Sequence, residues 1–187
     1  MVIPSEVLPG GAVLRLVTLD DAEALHAAYV ANREYLAPWE PIRPDNFFTV
    51  EGQAERIAGL LREFAERRVV PWVFESESDG SVIGMITLTG LVYGAFRSAY
   101  LGYWVAADRQ NRGLAGAAVA SVCRAARDIV GLHRIEATTL LDNTASQRVL
   151  EKNGFEPIGT APRYLHINGQ WRDHRLFQRI LHDGPPS

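Results

Sequence analysis

The chain has 187 residues, of which 47% are hydrophobic and 22% charged, and its formal net charge is −3. These values are typical of a single globular domain over residues 1–187 with a sizeable core, and so small a charge argues against direct readout of a nucleic acid. The single cysteine, Cys123, excludes an internal disulfide. The sequence shows no recognisable leader and no uncharged run of about 18 residues, which predicts a cytoplasmic protein without a membrane span.

The first quarter of the chain predicts a strand, a helix and a loop. Residues 12–17 form a short apolar strand candidate, and Thr18 with Asp21 makes a variant capping box for a helix that continues to Asn32. Residues 33–46 contain three prolines, which favours an irregular loop fixed by an aromatic anchor. Loops placed between two helices often build substrate sites.

The next segment predicts a second helix and then three antiparallel strands. Residues 50–67 show helical spacing of apolar positions. From residue 70 the period changes to two, which predicts strands at 70–75, 82–89 and 97–105, with Asp79-Gly80 as the first hairpin turn. The core-facing stripe of the helix is Ile57, Leu60, Leu61 and Phe64.

The C-terminal part predicts one more helix between strands. Residues 134–141 form a strand, 143–153 a short helix, and 155–165 with 172–181 a last strand pair turned at Asn168-Gly169. The full order, β-α-α-β-β-β-α-β-α-β-β, predicts a mixed α/β (α+β) sheet with helices on its faces. One parallel strand–helix–strand crossover is expected, and ligands in such sheets bind at the carboxyl ends of strands near it.

The crossover contains the most informative stretch. The strand 100–105 is followed by a polar turn and a helix that runs to residues 130–131 and should bury Cys123. Such a turn directs unpaired N–H groups and the positive end of a helix dipole at one spot, where small residues let an anion approach. Neither a Walker loop nor a dinucleotide G-x-G-x-x-G is present. The apolar positions of the helix are Leu114, Ala118, Val122, Ala125 and Ile129.

Two motifs resemble those of the GNAT acetyltransferase superfamily. Residues 110–115, Gln-Asn-Arg-Gly-Leu-Ala, resemble its coenzyme-A pyrophosphate loop, Gln/Arg-x-x-Gly-x-Gly/Ala. Residues 142–146 and 149–155 resemble its second signature, in which an asparagine opens a helix that ends at Gly-Phe. The order of elements is similar to the GNAT fold over nearly the whole chain, so the resemblance implies that fold.

Within the superfamily the chain is most similar to the RimJ/RimL type, the N-terminal acetyltransferases of ribosomal proteins. Residues 164–174, with Asn-Gly-Gln-Trp-Arg-Asp-His at their end, look most like the RimJ branch. That branch acetylates the amino-terminal alanine of a small-subunit ribosomal protein. The other segments that carry this closer match are 36–41, 101–103, 133–135, and Asn143 with Ser146.

The resemblance implies acetyl-CoA (coenzyme A) as co-substrate and no metal. Pantetheine would lie along the strand at 97–105, so that backbone N–H groups near Trp104 and Val105 bond its amides or the thioester oxygen. Amides of residues 112–116 would bind the pyrophosphate, and the Arg112 side chain would add charge; the alternative for Arg112 is a solvated surface residue. The predicted coenzyme-binding residues are Trp104, Val105, Gln110, Asn111, Arg112, Gly113, Leu114, Ala115, Gly116, Asn143 and Ser146.

Two side chains are predicted at the reacting end of the coenzyme. Ser146 lies one turn into the helix that Asn143 opens, so both can occupy the same helix end. By resemblance to the RimL branch, Ser146 would donate a proton to the leaving thiolate and Asn143 would bond the pantetheine arm. In the alternative, Asn143 only caps the helix and Ser146 is a neutral first-turn residue.

The general base is left open by the sequence. Glu136 lies on a strand beside the expected cleft and Glu40 lies in the Pro-Trp-Glu-Pro loop; the glutamate expected in RimL-type proteins has no counterpart, because 159–161 reads Gly-Thr-Ala. Glu136 could instead form a strand-end salt bridge, and Glu40 could be a surface charge that reads the acceptor's ammonium group. Weaker base candidates are Tyr164 and His166. The acceptor is expected to contact Trp39, Glu40 and Tyr164, although Tyr164 could simply pack on the sheet.

Amine chemistry favours one acceptor class. An α-amine with a pKa of ~8 is roughly a tenth neutral at pH 7, whereas a lysine amine at ~10.4 is neutral in well under ~0.1% of molecules. A weak base therefore suffices for a protein N-terminus, which is the leading hypothesis, with a small-subunit ribosomal protein as the expected partner. Two alternatives stay open: acetylation of a small-molecule amine such as an aminoglycoside or polyamine, and a ribosome-assembly factor with a vestigial coenzyme cleft. The sequence does not distinguish a homodimer from a monomer.

Overall fold

The computed structural model describes residues 1–185, which form one mixed sheet of eight strands and five α-helices. Along the sheet the strand order is β1-β2-β3-β4-β5-β6-β8-β7. The strands are β1 (Glu6–Leu8), β2 (Ala12–Leu16), β3 (Val70–Ser76), β4 (Val82–Val92), β5 (Ser98–Val105), β6 (Arg134–Leu140), β7 (Glu156–Ile167) and β8 (Gln170–Ile180). The helices are α1 (Ala22–Ala31), α2 (Arg33–Leu36), α3 (Val50–Ala65), α4 (Leu114–Ala125) and α5 (Thr144–Lys152).

The fold class predicted from the sequence is confirmed. Neighbouring strands are antiparallel except β5 and β6, which are the parallel pair joined through α4. One apolar core lies between the sheet and α4, and it contains the buried Cys123; a second lies between the sheet and α1 with α3. Among the described residues, no helix is long and apolar enough to cross a membrane.

Two N-terminal elements differ from the prediction. The three-residue strand β1 was not expected, because so short a strand shows no measurable alternation before Gly10 and Gly11. The loop prediction for residues 33–46 was wrong at its start, where α2 forms one helical turn. That turn is possible because all three prolines of the segment follow it, so no ring interferes with its hydrogen bonds.

The crossover helix also ends differently from the prediction. Regular α-helix stops at Ala125, and a π-turn over Ala126–Val130 leads to Gly131, whose φ of +78° ends the helix. A π-turn holds more residues than an α-turn, so it rotates the following side chains around the axis. Val130 is therefore buried at 4% exposure, and the prediction that Ile129 belongs to the apolar face was wrong, since it is 37% exposed.

Two local predictions that position the site are confirmed. Asp21 accepts a hydrogen bond from the Thr18 backbone N–H at 2.7 Å, ahead of α1. The β7–β8 hairpin turns at Asn168 and Gly169, both with positive φ. The Asn168 N–H donates to the backbone oxygen of Glu40 at 3.0 Å, so the hairpin tip and the proline-rich loop after α2 are joined.

Candidate active site

The parallel strands β5 and β6 separate in the middle of the sheet. Their pairing ends at Leu101 opposite Ala137. Beyond that point β5 stays paired with β4 as far as Val105, and β6 stays paired with β8 as far as Leu140. The two strands therefore diverge, and the ends of both border an opening in the sheet.

Backbone donors of β5 face this opening. The Ala106 N–H donates to Ile83 of β4 at 2.8 Å. Because successive N–H groups of a strand point to opposite edges, those of Tyr103 and Val105 point toward the opening and that of Trp104 points toward β4. Of the two backbone N–H groups predicted to bind pantetheine, that of Val105 thus points into the opening. Trp104 is instead held by its indole N–H, which donates to the buried hydroxyl of Tyr29 at 2.9 Å.

The opening continues into a cleft of about 810 Å³. Its walls come from five elements: β5, β6, α5, the loop after α2, and the β7–β8 hairpin. Of the predicted site residues, Trp39, Glu40, Trp104, Asn143 and Ser146 lie in the lining, whereas Val105, Glu136, Tyr164 and the loop 110–116 lie outside it. The lining segments are 101–104, 137–140, Asn143, Ser146, Leu150, Leu36, 39–43, 165–167, Trp171 and His174.

The first turn of α5 presents Asn143 and Ser146 to the cleft. The Asn143 side-chain oxygen accepts from the Ser146 N–H at 3.1 Å, so Asn143 is the N-cap of α5. The hydroxyl groups of Ser146 and Tyr103 lie 2.9 Å apart, which joins α5 to β5. Burial raises the pKa of Tyr103 to about 12, against a smaller opposing effect of the Ser146 hydrogen bond, so this phenol is protonated at neutral pH.

Sequence reasoning did not single out Tyr103. The sequence indicates this residue only as part of a strand and of a family match, since a contact across 43 residues leaves no local signal. Alternation along β5 could have shown that it faces the same side as Leu101.

The turn before α4 exposes backbone N–H groups that can accept an anion. Asn111 and Gly113 both have positive φ, at +58° and +76°, and Gly113 is the N-cap of the 12-residue helix. The first N–H groups of any helix lack intrahelical acceptors, and a Cβ placed on Gly113 would meet nothing within 4 Å. These exposed amides fit a pyrophosphate group.

The side chains of this turn are mostly engaged elsewhere. Leu114 is buried in the core, so only its backbone can take part in binding. The Gln110 amide donates to the Tyr35 hydroxyl, and the exposed Arg112 guanidinium donates to the Asp108 carbonyl at 3.2 Å. The anion-accepting groups of this turn are therefore mainly backbone N–H groups, to which Arg112 adds positive charge.

Both glutamates proposed as the base form ion pairs. Glu136 lies one residue before the divergence of β5 and β6, and its carboxylate is 3.0 Å from the Arg134 guanidinium. This is the strand salt bridge that the alternative interpretation expected. Glu40 lines the cleft, and its carboxylate is 3.4 Å from Nε of Arg43.

Of the two aromatic residues predicted to bind the acceptor, one lines the cleft and the other contacts a lining residue. Trp39 is 36% exposed and lines the cleft from the loop after α2. The ring of Tyr164 lies outside the lining, 5.7 Å from that of His174. Burial raises the pKa of Tyr164, and the nearby Tyr100 and Glu136 add to the increase.

His174 is the second lining residue that sequence reasoning missed. The sequence indicates it only as part of the family-like run 164–174, although a histidine in an alternating strand is a signal of its own. The side chain is buried, at 3% exposure, and its Nδ1–H donates to the Arg172 carbonyl at 3.0 Å. No group of three or more His, Cys, Asp or Glu side chains that could hold a metal ion occurs within residues 1–185.

Comparison with known sequences gives matches along most of the chain. The family described as acetyltransferase (GNAT) domain matches residues 12–156. The probable N-acetyltransferase YjcK of Bacillus subtilis is 33% identical over 164 residues, which are 88% of this chain and 91% of that protein. The [ribosomal protein uS5]-alanine N-acetyltransferase of Escherichia coli is 34% identical over 177 residues, 94% of this chain and 90% of that protein.

Solved structures give equally extensive matches. A ribosomal-protein-S5-alanine acetyltransferase from Vibrio fischeri superposes with a TM-score of 0.94 at 30% identity, and the match covers 98% of this chain and 100% of that one. RimJ of Mycobacterium smegmatis, solved in complex with CoA-disulfide, gives a TM-score of 0.88 at 37% identity, covering 95% of this chain and 86% of that one.

Proposed function

Because the chain belongs to the acetyltransferase (GNAT) family, we propose that it transfers the acetyl group of acetyl-CoA to the N-terminal α-amine of a protein. The chain is an acetyl-CoA-dependent N-acetyltransferase of the RimJ-like type. The observation that carries the proposal is the opening between β5 and β6, because it combines free backbone donors, a hydroxyl pair and an adjoining cleft.

The coenzyme would be held at two places along one path. Its pyrophosphate would bind the amides around Gly113 at the start of α4. From there its pantetheine arm would run along β5, where the N–H groups of Tyr103 and Val105 have no partner strand within residues 1–185. A thioester oxygen at this edge would accept a hydrogen bond that strengthens as negative charge develops on it.

The end of that path is the hydroxyl pair of Ser146 and Tyr103. Ser146 would donate its proton to the sulfur as the carbon–sulfur bond breaks. Tyr103, which is protonated at neutral pH, would hold the Ser146 hydroxyl in place through its hydrogen bond. Asn143 fixes the same helix end as its N-cap, and its amide nitrogen is available to the pantetheine arm.

The lining of the cleft favours a peptide over a polycationic small molecule as the acceptor. An aminoglycoside or a polyamine would call for several carboxylates, but Glu40 is the one carboxylate in the lining formed by residues 1–185, and Arg43 neutralises it. The mouth instead exposes apolar surface, with Ile42 at 70% and Trp171 at 63% exposure. Such a surface suits an extended backbone with mixed side chains.

A ribosomal protein is the natural acceptor that we propose. The Escherichia coli relative is named for the alanine of ribosomal protein uS5, and the Vibrio fischeri structure carries a corresponding name. An α-amine also needs less deprotonation than a lysine side chain, since its pKa is ~8. A binding factor with a vestigial cleft would have no need of the Tyr103–Ser146 hydroxyl pair.

Thiol release from acetyl-CoA tests the proposal. Four acceptors are compared: a peptide with a free N-terminal alanine, its N-acetylated form carrying a lysine, spermidine, and an aminoglycoside. We expect turnover with the free alanine peptide and rates at least about tenfold lower with the other three. Faster turnover of either small amine would replace the proposed acceptor class, and tight acetyl-CoA binding without turnover of any acceptor would favour the binding factor.

A further inference from the structure

The cleft contains one histidine whose geometry suits proton transfer. A carbonyl oxygen can only accept, so the contact of the His174 ring with the Arg172 carbonyl requires a proton on Nδ1. In the neutral ring the lone pair is then on Nε2. Within residues 1–185 this atom has no hydrogen-bond partner, and His174 lines the cleft.

We propose that His174 is the general base that takes the proton of the acceptor's ammonium group. The inference rests on the proposed function, because it concerns the same acetyl transfer. Each glutamate suggested by the sequence has an arginine at one carboxylate oxygen, Arg134 or Arg43, whereas Nε2 of His174 has no such contact within residues 1–185.

The strand register places His174 at the reacting end of the cleft. It lies opposite Leu140, the last paired residue of β6, and β6 leads from there directly to Asn143 and the first turn of α5. The hydroxyl pair and the imidazole thus both line the cleft.

The alternation of side chains places the Ser146–Tyr103 hydroxyl pair and the His174 ring on different faces of the sheet. Arg175, the next residue of β8, reaches Gln147 of α5 at 3.3 Å, so it points to the face that α5 covers. His174 must then point to the opposite face, where Tyr164 packs on it. A thioester between the strands would have its proton donor on one side and the base on the acceptor side.

Among residues 1–185, no charged side chain forms an ion pair with the His174 ring. Tyr164 of β7 contacts the ring, and the other titratable or charged side chains of the same lining are His166 of β7, Tyr103 of β5, and Glu40 with Arg43 in the loop after α2. Glu40 and Arg43 compensate each other. An imidazole in such a place can accept a proton in one step and return it to solvent in the next.

The proposed steps balance in protons and bonds. The ammonium gives one proton to Nε2, and the neutral nitrogen attacks the thioester carbon to form the carbon–nitrogen bond. As the carbon–sulfur bond breaks, Ser146 gives a proton to the sulfur, and the second proton lost by the nitrogen replaces it. The proton on His174 leaves to water, so one amide, one thiol and one released proton result.

The test compares His174→Asn with His133→Asn. Asparagine can keep the hydrogen bond of Nδ1 to a carbonyl while it removes the Nε2 atom. His133 is the matched control, because its ring nitrogen Nδ1 contacts the His182 carbonyl at 2.6 Å outside the cleft. Acetyl-CoA affinity and the thermal midpoint of each variant show whether the fold is intact.

We expect His174→Asn to lower kcat/KM for the alanine peptide by about 100-fold or more, with unchanged coenzyme affinity, and His133→Asn to stay within about threefold of wild type. Added imidazole should restore part of the activity of His174→Asn alone. A loss below about threefold, or a larger loss without rescue and with an unchanged pH profile, would overturn the proposal. If wild type does not acetylate the peptide, the proposed function itself fails.

A measurement on wild type keeps the proposal testable if His174→Asn does not fold. The pH profile of kcat/KM is recorded with two peptides whose α-amines differ in pKa. A base on the enzyme gives a limb at the same pH for both peptides. A profile that follows only the pKa of each amine would overturn the assignment.

Discussion

The hydroxyl oxygens of Tyr103 and Ser146 lie 2.9 Å apart, and this contact joins the diverging strand β5 to the first turn of α5. It fixes the serine hydroxyl at the border of the cleft on a strand and a helix, which are both rigid elements. Because the pKa of Tyr103 is raised to about 12, the phenol remains a donor throughout the neutral range.

Ser146→Ala should lower kcat on the order of tenfold or more, with little change in the KM for acetyl-CoA. A proton donated to the leaving sulfur is needed mainly in the transition state, so its loss affects turnover rather than binding. Steady-state kinetics over a range of acetyl-CoA concentrations measures both constants. A change in KM alone would make Ser146 a binding residue.

Tyr103→Phe should lower kcat less than Ser146→Ala does, by roughly two- to tenfold. It removes one hydrogen bond to the serine, and such a bond contributes about 0.5–1.5 kcal/mol. The double variant tests the coupling: if Tyr103 acts through Ser146, adding Tyr103→Phe to Ser146→Ala should cost almost nothing further. Fully additive losses would argue against that dependence.

Acetyl-CoA should raise the thermal midpoint of wild type, and Gly113→Glu should abolish the shift. The new side chain would bring bulk and negative charge to the amides at the start of α4. Gly113→Asn is the control for backbone strain, because asparagine tolerates the positive φ at this position and carries no charge. A normal shift in folded Gly113→Glu would remove the turn from the coenzyme site.

Trp39→Ala should raise the KM for the acceptor peptide and leave acetyl-CoA affinity unchanged. Trp39 lines the cleft from the loop after α2, whereas the residues of the turn before α4 that would hold the pyrophosphate are not part of that lining. Peptide kinetics and coenzyme titration separate the two effects. Equal losses of both would mean that the side chain supports the fold and not the acceptor.

Glu136→Gln and Glu40→Gln should each lower kcat/KM by about tenfold or less. Each carboxylate has an arginine at one of its oxygens, which competes with an incoming amine for that carboxylate. A pH–rate series with the alanine peptide measures the effect. A thousandfold loss in Glu136→Gln with intact coenzyme binding would make Glu136 the base and displace His174.

The sequence predicted those parts of the site that are formed locally. The turn at 110–115 and the N-cap at Asn143 depend on residues within one helical turn, so the motif and the observed geometry agree. The position of His174 in the cleft depends on strand register, and the hydrogen bond of Tyr103 depends on a helix residue 43 positions away. Local sequence pattern encodes neither contact. Ile129 was misplaced because a π-turn does not show in helical periodicity.

The two glutamates proposed as bases also show that sequence alone does not reveal side-chain contacts. The residue type of Glu136 and Glu40 suits a base, and their positions in the chain are close to the cleft. In the structure each of them is paired with an arginine, Arg134 or Arg43, and that pairing depends on the direction of each side chain. The choice between a free base and an ion pair therefore needed the three-dimensional arrangement.

The most direct test of the central claim is the position of the acetyl group on a single peptide. The peptide has a free N-terminal alanine and one internal lysine, and it is incubated with the enzyme and acetyl-CoA. Fragmentation mass spectrometry then locates the added acetyl group. The proposed function predicts acetylation of the α-amine with the lysine unmodified, whereas acetylation of the lysine in preference to the α-amine would contradict it.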